Sequence, residues 1–95
     1  MLIYVCAKIE QQNEREQVEA LLQKLARDNL NTYICGAITF SYLPPAKDKE
    51  EAYRDIMRED LICACDKLLV ITDLDENMRR DIYFAELLKI PIEYK

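Results

Sequence analysis

Ninety-five residues, 51% of them apolar, suffice for one domain with one core and leave little room for a second domain or a long insertion. Asp and Glu number 18 against 13 Lys and Arg, and the cations are scattered, which excludes the clustered basic surface that a nucleic acid polymer needs. No apolar run is long enough for a membrane span and no basic segment precedes a short apolar one, so no membrane partner is expected and the expected location is cytoplasmic.

Leu2 to Ala7 is a continuous apolar run rich in β-formers, as a strand buried on both faces requires. A polar stretch, Lys8 to Gln12, follows. Asn13 with Glu16 three residues later reads as an N-cap and capping box. Val18, Leu21, Leu22 and Leu25 then repeat at helical spacing, predicting a helix over residues 13–29. Thr32 to Cys35 reads as a second strand, closed by Gly36, the only glycine. Residues 37–50, with aromatics and Pro44-Pro45, read as an ordered irregular loop of functional length. A second helix is predicted over residues 51–65, with Tyr53, Ile56, Met57, Leu61 and Ala64 on one face. Leu68 to Thr72 is the clearest buried strand. Residues 73–77 form a polar loop ending in a cap, residues 78–89 a third helix, and residues 91–94 a short edge strand, where Pro91 is tolerated.

The alternation β-α-β-α-β-α-β predicts a single α/β domain over residues 1–95. Its expected form is a small flavodoxin-like (Rossmann-like) three-layer fold, with a four- to five-stranded parallel sheet and helices on both faces. Such sheets bind ligands beyond the carboxyl ends of their strands, at the point where strand order reverses. That rule selects residues 7–12, 36–45 and 73–81.

Two carboxylates break the apolar pattern. Asp60 lies three after Met57 and four before Ala64. Asp81 lies three after Met78 and four before Ala85, in what reads as the first turn of its helix. Both are therefore expected to face inward. Burying a carboxylate costs several kcal/mol unless it is paired. Two of them at the ligand end read as a site, against the plainer readings that Asp60 partners Arg54, Arg58 or a loop N–H and that Asp81 is favourably placed near a helix N-terminus. Lys8 and Glu10 sit just past the first strand, Tyr4 within it, and Phe40 and Tyr42 in the long loop, where they could stack on a base or pack down as a lid. Arg79-Arg80 could hold a phosphate or simply face solvent.

The chain has no histidine, which removes every dyad or triad built on imidazole. Cys6, Cys35, Cys63 and Cys65 have neither CxxC nor zinc-ribbon spacing. They read as small buried hydrophobes, with no metal and no cofactor implied.

Several short motifs resemble the nucleoside 2-deoxyribosyltransferase family, which includes nucleotide N-glycosidase relatives and short phage and bacterial members. Tyr4-Val5-Cys6-Ala7-Lys8-Ile9 is similar to the family's opening Y-x-C/S-G-x-I. Arg58-Glu59-Asp60-Leu61 leads into Ala64-Cys65-Asp66 and a buried strand, as its Asp-bearing helix does. Asn77-Met78-Arg79-Arg80-Asp81, then Ala85 and Ile90-Pro91-Ile92, follow its closing helix and strand. The resemblance implies that Asp81 stands as the nucleophile at C1′ of a sugar, and that Asp60 orients the sugar or assists protonation of the leaving base. With the loop aromatics, the candidate ligand-binding set is Tyr4, Cys6, Ala7, Lys8, Ile9, Glu10, Phe40, Tyr42, Asp73, Asn77 and Met78. The expected partner is a nucleoside or nucleotide, and a homodimer or higher homo-oligomer is expected because relatives often complete their pockets between subunits.

Five positions depart from the family pattern, among them Lys8, which stands where small polar residues are common. Asp81 replaces Glu and sets the attacking oxygen back by roughly 1.5 Å. Ala7 and Asn77 replace Gly, and Glu10 replaces the Arg of nucleotide-cleaving relatives. Three functions stay open: cleavage or transfer at an N-glycosidic bond, non-catalytic sequestering of a nucleotide derivative by a degenerate member, and a ligand-free structural module.

Overall fold

A computed structural model describes residues 1–40, 50–71 and 74–95, with residues 50–54 described by their backbone alone. Strands β1 (Leu2–Cys6), β2 (Thr32–Cys35), β3 (Lys67–Val70) and β4 (Ile92–Tyr94) form one parallel sheet in the order β2-β1-β3-β4. Tyr4 pairs with Ile34 on one side and Leu68 on the other. The β1 backbone is further tied at its start, where Leu2 N donates to an Asp66 carboxylate oxygen at 2.8 Å. The helices are α1 (Gln12–Asp28), α2 (Gly36–Phe40), α3 (Glu50–Ala64) and α4 (Glu76–Leu87).

Alternation along β1 divides the core into two layers, because successive side chains leave a strand on opposite faces. Tyr4 and Cys6 join Ile62, Leu68, Val70, Met78 and Ala85 on the side of α3 and α4. Val5 and Ala7 join Val18 of α1 and Cys35 on the other. The result is the expected three-layer α/β fold, with four strands among the described residues.

Element boundaries differ from expectation where two local signals compete. α1 starts earlier than Asn13, because Gln11 and Glu14 carry the same three-residue spacing: Gln11 N donates to Glu14 Oε1 at 3.0 Å. Residues 36–40, expected at the head of an irregular loop, form α2, where Thr39 Oγ1 bonds the Cys35 carbonyl at 3.0 Å. A five-residue helix is too short to show a period in the sequence.

The inward face of α3 also differs. Asp60 is exposed and Ile56 is 60% exposed, while Arg58 and Ile62 are buried. The face toward α4 and the sheet runs Asp55, Arg58, Ile62, Cys65, a 3-4-3 spacing whose first half is charged. An apolar-stripe reading follows Ile56 and Ala64 instead and rotates the helix, carrying Asp60 inward in error. Among the described residues no helix is long and apolar enough to cross a membrane.

α4 begins at Glu76, two residues before the expected Met78. Asp75 is its N-cap, and its carboxylate accepts from Met78 N at 2.8 Å. Asp81 therefore lies in the second turn rather than the first. The helix ends in a Schellman arrangement. Ile90 N reaches the Ala85 carbonyl at 2.8 Å, Lys89 N reaches Glu86 at 3.2 Å, and Lys89 sits in the left-handed region at φ 59°.

Candidate functional site

Strand order reverses between β1 and β3, since β2 lies to one side of β1 and β3 to the other. A cavity of about 220 Å³ opens there. The turn after β1 supplies Ala7, Ile9 and Glu10, and α2 supplies Ala37 and Phe40. α3 supplies Arg58, and α4 with its cap supplies Asp75, Asn77, Met78 and Asp81.

Asp81 is the chemical centre. It is 5% exposed, and donors from two elements converge on it. Arg58 Nε donates to Oδ1 at 2.6 Å and the Tyr4 hydroxyl to the same oxygen at 3.1 Å. Among the described residues Oδ2 receives the Cys6 thiol, at a sulfur–oxygen distance of 3.6 Å, and the same thiol lies 3.6 Å from the Met78 carbonyl. A thiol is a weak donor, so Oδ2 keeps the larger unspent accepting capacity. The strand period brings Tyr4 and Cys6 to Asp81: they are two apart on β1 and so leave it on the same face.

Burial pushes the Asp81 carboxyl up from its usual range to about 6, against the opposing pull of Arg58, Tyr4 and Cys6. Burial, followed by the Asp81 charge, likewise holds both the Tyr4 hydroxyl and the Cys6 thiol well above their usual values. Both stay protonated as donors at neutral pH while Asp81 is ionised.

Arg58 is 2% exposed, a buried cation with two carboxylates. Besides Asp81 it bonds Asp55 through its terminal nitrogen, and Arg80 donates to the same Asp55 at 3.0 and 3.3 Å. Phe40 covers the guanidinium, with Cζ 5.4 Å from the ring centroid. Tyr4 in turn needs Gly36. A Cβ there would overlap the Tyr4 hydroxyl and Cζ and come within 2.9 Å of Cε2.

Of the residues singled out in the sequence, Asp81, Ala7, Ile9, Glu10, Phe40, Asn77 and Met78 line the cavity. Tyr4 and Cys6 reach it through Asp81. Lys8 lines a second cavity of about 190 Å³ against α1, with its amine 3.9 Å from Glu10. Asp60 is exposed and absent from the cavity lining. Tyr42 and Asp73 lie outside the described residues. Sequence reasoning missed Asp75 as a cavity residue and took Arg58 only as a partner for Asp60. Among the described residues, no three Cys, Asp or Glu side chains come together as a metal site.

The arrangement is a doubly wound α/β domain with an ionised, clamped carboxylate at its switch-point cavity. No family model matches the sequence and no curated protein does. Solved structures do match in fold. A 2-deoxyribosyltransferase from the psychrotolerant bacterium Bacillus psychrosaccharolyticus aligns with a TM-score of 0.77 at 15% identity, over 99% of this chain and 71% of its own. A conserved protein from Enterococcus faecalis V583 aligns with a TM-score of 0.77 at 16% identity, over 99% of this chain and 62% of its own. The chain therefore has the fold found in a deoxyribosyltransferase.

Proposed function

We propose that this protein takes a nucleoside or nucleotide in the switch-point cavity and cleaves or transfers its sugar at the N-glycosidic bond, with Asp81 as the nucleophile. The observation that carries the reading is the asymmetric clamp on Asp81, which engages Oδ1 twice and leaves Oδ2 with one weak thiol contact. Oδ2 forms a bond to C1′ as the C1′–N bond breaks. The bonding pair leaves with the base, which takes a proton from water. Water or a second base then attacks C1′ of the sugar ester and returns the carboxylate. The motif resemblance and the shared fold of the Bacillus enzyme support this reading.

A second reading, binding without turnover, is favoured by one observation. The Arg58 contact at 2.6 Å withdraws charge from the carboxylate that would attack.

One assay separates them. Near-stoichiometric protein is incubated with a panel of nucleosides, deoxynucleotides and ADP-ribose-type nucleotides, then filtered, and free base and retained ligand are quantified. Free base that disappears in Asp81→Ala is the expected result. Ligand retained intact supports the second reading, and neither outcome across the panel overturns both.

A further inference from the structure

We propose that Arg58 is the positioning residue of the site, with Asp55 as its anchor: the Asp55–Arg58 pair fixes the orientation of the Asp81 carboxylate at the cavity. The argument rests on geometry. The guanidinium splits its fork between two carboxylates, the terminal nitrogen to Asp55 and Nε to Asp81 Oδ1 at 2.6 Å. Phe40 lies over its face at 5.4 Å, and Arg80 binds the far oxygen of Asp55 at 3.0 Å. The guanidinium is thus held by α3, α4 and α2 at once. A planar fork can serve two carboxylates at fixed angles, whereas an ammonium is a point charge that fixes no direction.

The groups facing Asp81 are Tyr4 and Cys6 from β1 and Arg58 from α3. Glu10 and Asp75 share the cavity with it, and Asp55 and Arg80 lie one contact further out. With Arg58 fixed, Oδ1 holds two donors and Oδ2 meets the weaker Cys6 thiol, so the carboxylate plane is set. The kinetic consequence rests on the reading of Asp81 as the reacting carboxylate. The positioning itself does not, and its test uses the proton as the only probe.

The experiment is a carbon-13 titration of the Asp81 carboxyl, assigned with Asp81→Asn, in the free protein and in three variants. Arg58→Met removes charge and fork, Arg58→Lys keeps the charge alone, and Asp55→Asn removes the anchor. Positioning predicts that Arg58→Lys moves the Asp81 midpoint upward by at least half as much as Arg58→Met does. It also predicts that Asp55→Asn moves the midpoint upward. Deleting a negative charge that acted only through space would move it downward. If Arg58→Met does not fold, the wild-type midpoint serves as the reference, and a rise of at least half a unit in both other variants is the expected result. An Arg58→Lys midpoint equal to wild type, or a downward or unchanged midpoint in Asp55→Asn, overturns the proposal. Failure of the base-release assay with these midpoints intact would count against the enzyme reading alone.

Discussion

Replacing Gly36 by Ala tests the packing beneath the site. The new methyl would overlap the hydroxyl and Cζ of Tyr4, a side chain with no exposed surface. The ring has to move by more than an ångström, since β1 is an inner strand and its backbone is held on both sides. Overpacking of this kind costs about 1–3 kcal/mol. Moving the ring also breaks its bond to the Asp81 carboxylate, a charged hydrogen bond worth about 1.5–3 kcal/mol. Even about 3 kcal/mol, near the low end of that sum, is a large part of the ~5–15 kcal/mol that holds a small domain together. In a chain of this size it lowers the midpoint of thermal unfolding by roughly 12–24 °C. Circular dichroism melts measure it directly. The double variant Gly36→Ala with Tyr4→Phe removes the colliding oxygen, so it should lose less stability than the two single changes summed. A Gly36→Ala melt within 3 °C of wild type, or strict additivity in the double variant, would refute the contact.

Further outcomes follow from other parts of the structure. Asp81 has its carboxyl raised by burial to about 6, so between pH 4 and 6 the folded chain binds the proton that the unfolded chain has lost. That group's contribution therefore falls as pH rises through this window, by on the order of 3 kcal/mol, and is level above it. Urea unfolding of Asp81→Asn should lack that downward slope relative to wild type, and parallel pH curves would contradict the assignment. Asp75→Ala removes the cap on α4 and should cost about 1 kcal/mol in the same assay, whereas no loss would mean the Met78 N bond is immaterial. Lys89→Gly relieves a left-handed residue at the end of α4 and should stabilise by about 1 kcal/mol, with destabilisation as the contrary result. Leu68→Ala empties a fully buried position on β3 and should cost about 2–5 kcal/mol, seen as a lower urea midpoint.

The sheet was legible because buried parallel strands leave apolar runs with few competitors. Leu2 to Cys6 and Leu68 to Val70 could hardly be anything else. Asp81 was legible because a carboxylate between Met78 and Ala85, both buried, has no plain surface explanation. Asp60 was misread for the mirror-image reason. The inward face of α3 is itself half ionic, so the apolar residues beside it drew the stripe, and Arg58 entered only as a partner for Asp60. No single-element pattern can report a cation that is buried because two carboxylates, one of them on another helix, meet it there. The demand on Gly36 was invisible for a related reason, as it comes from a ring on the neighbouring strand.

The position of β1 has a consequence for how the molecule is made. The first strand of the sequence is central, and its partners arrive late: Leu2 pairs with Thr32, and Ile3 with Lys67. During synthesis that apolar segment must wait for more than sixty further residues before both of its edges are covered. Non-local pairing of this kind slows folding, and an uncovered apolar strand invites association with other nascent chains. The charged α1 that follows directly, carrying Glu14, Arg15, Glu16 and Glu19 in its first turns, is built on local hydrogen bonds. It gives the emerging segment a charged, soluble neighbour during that interval.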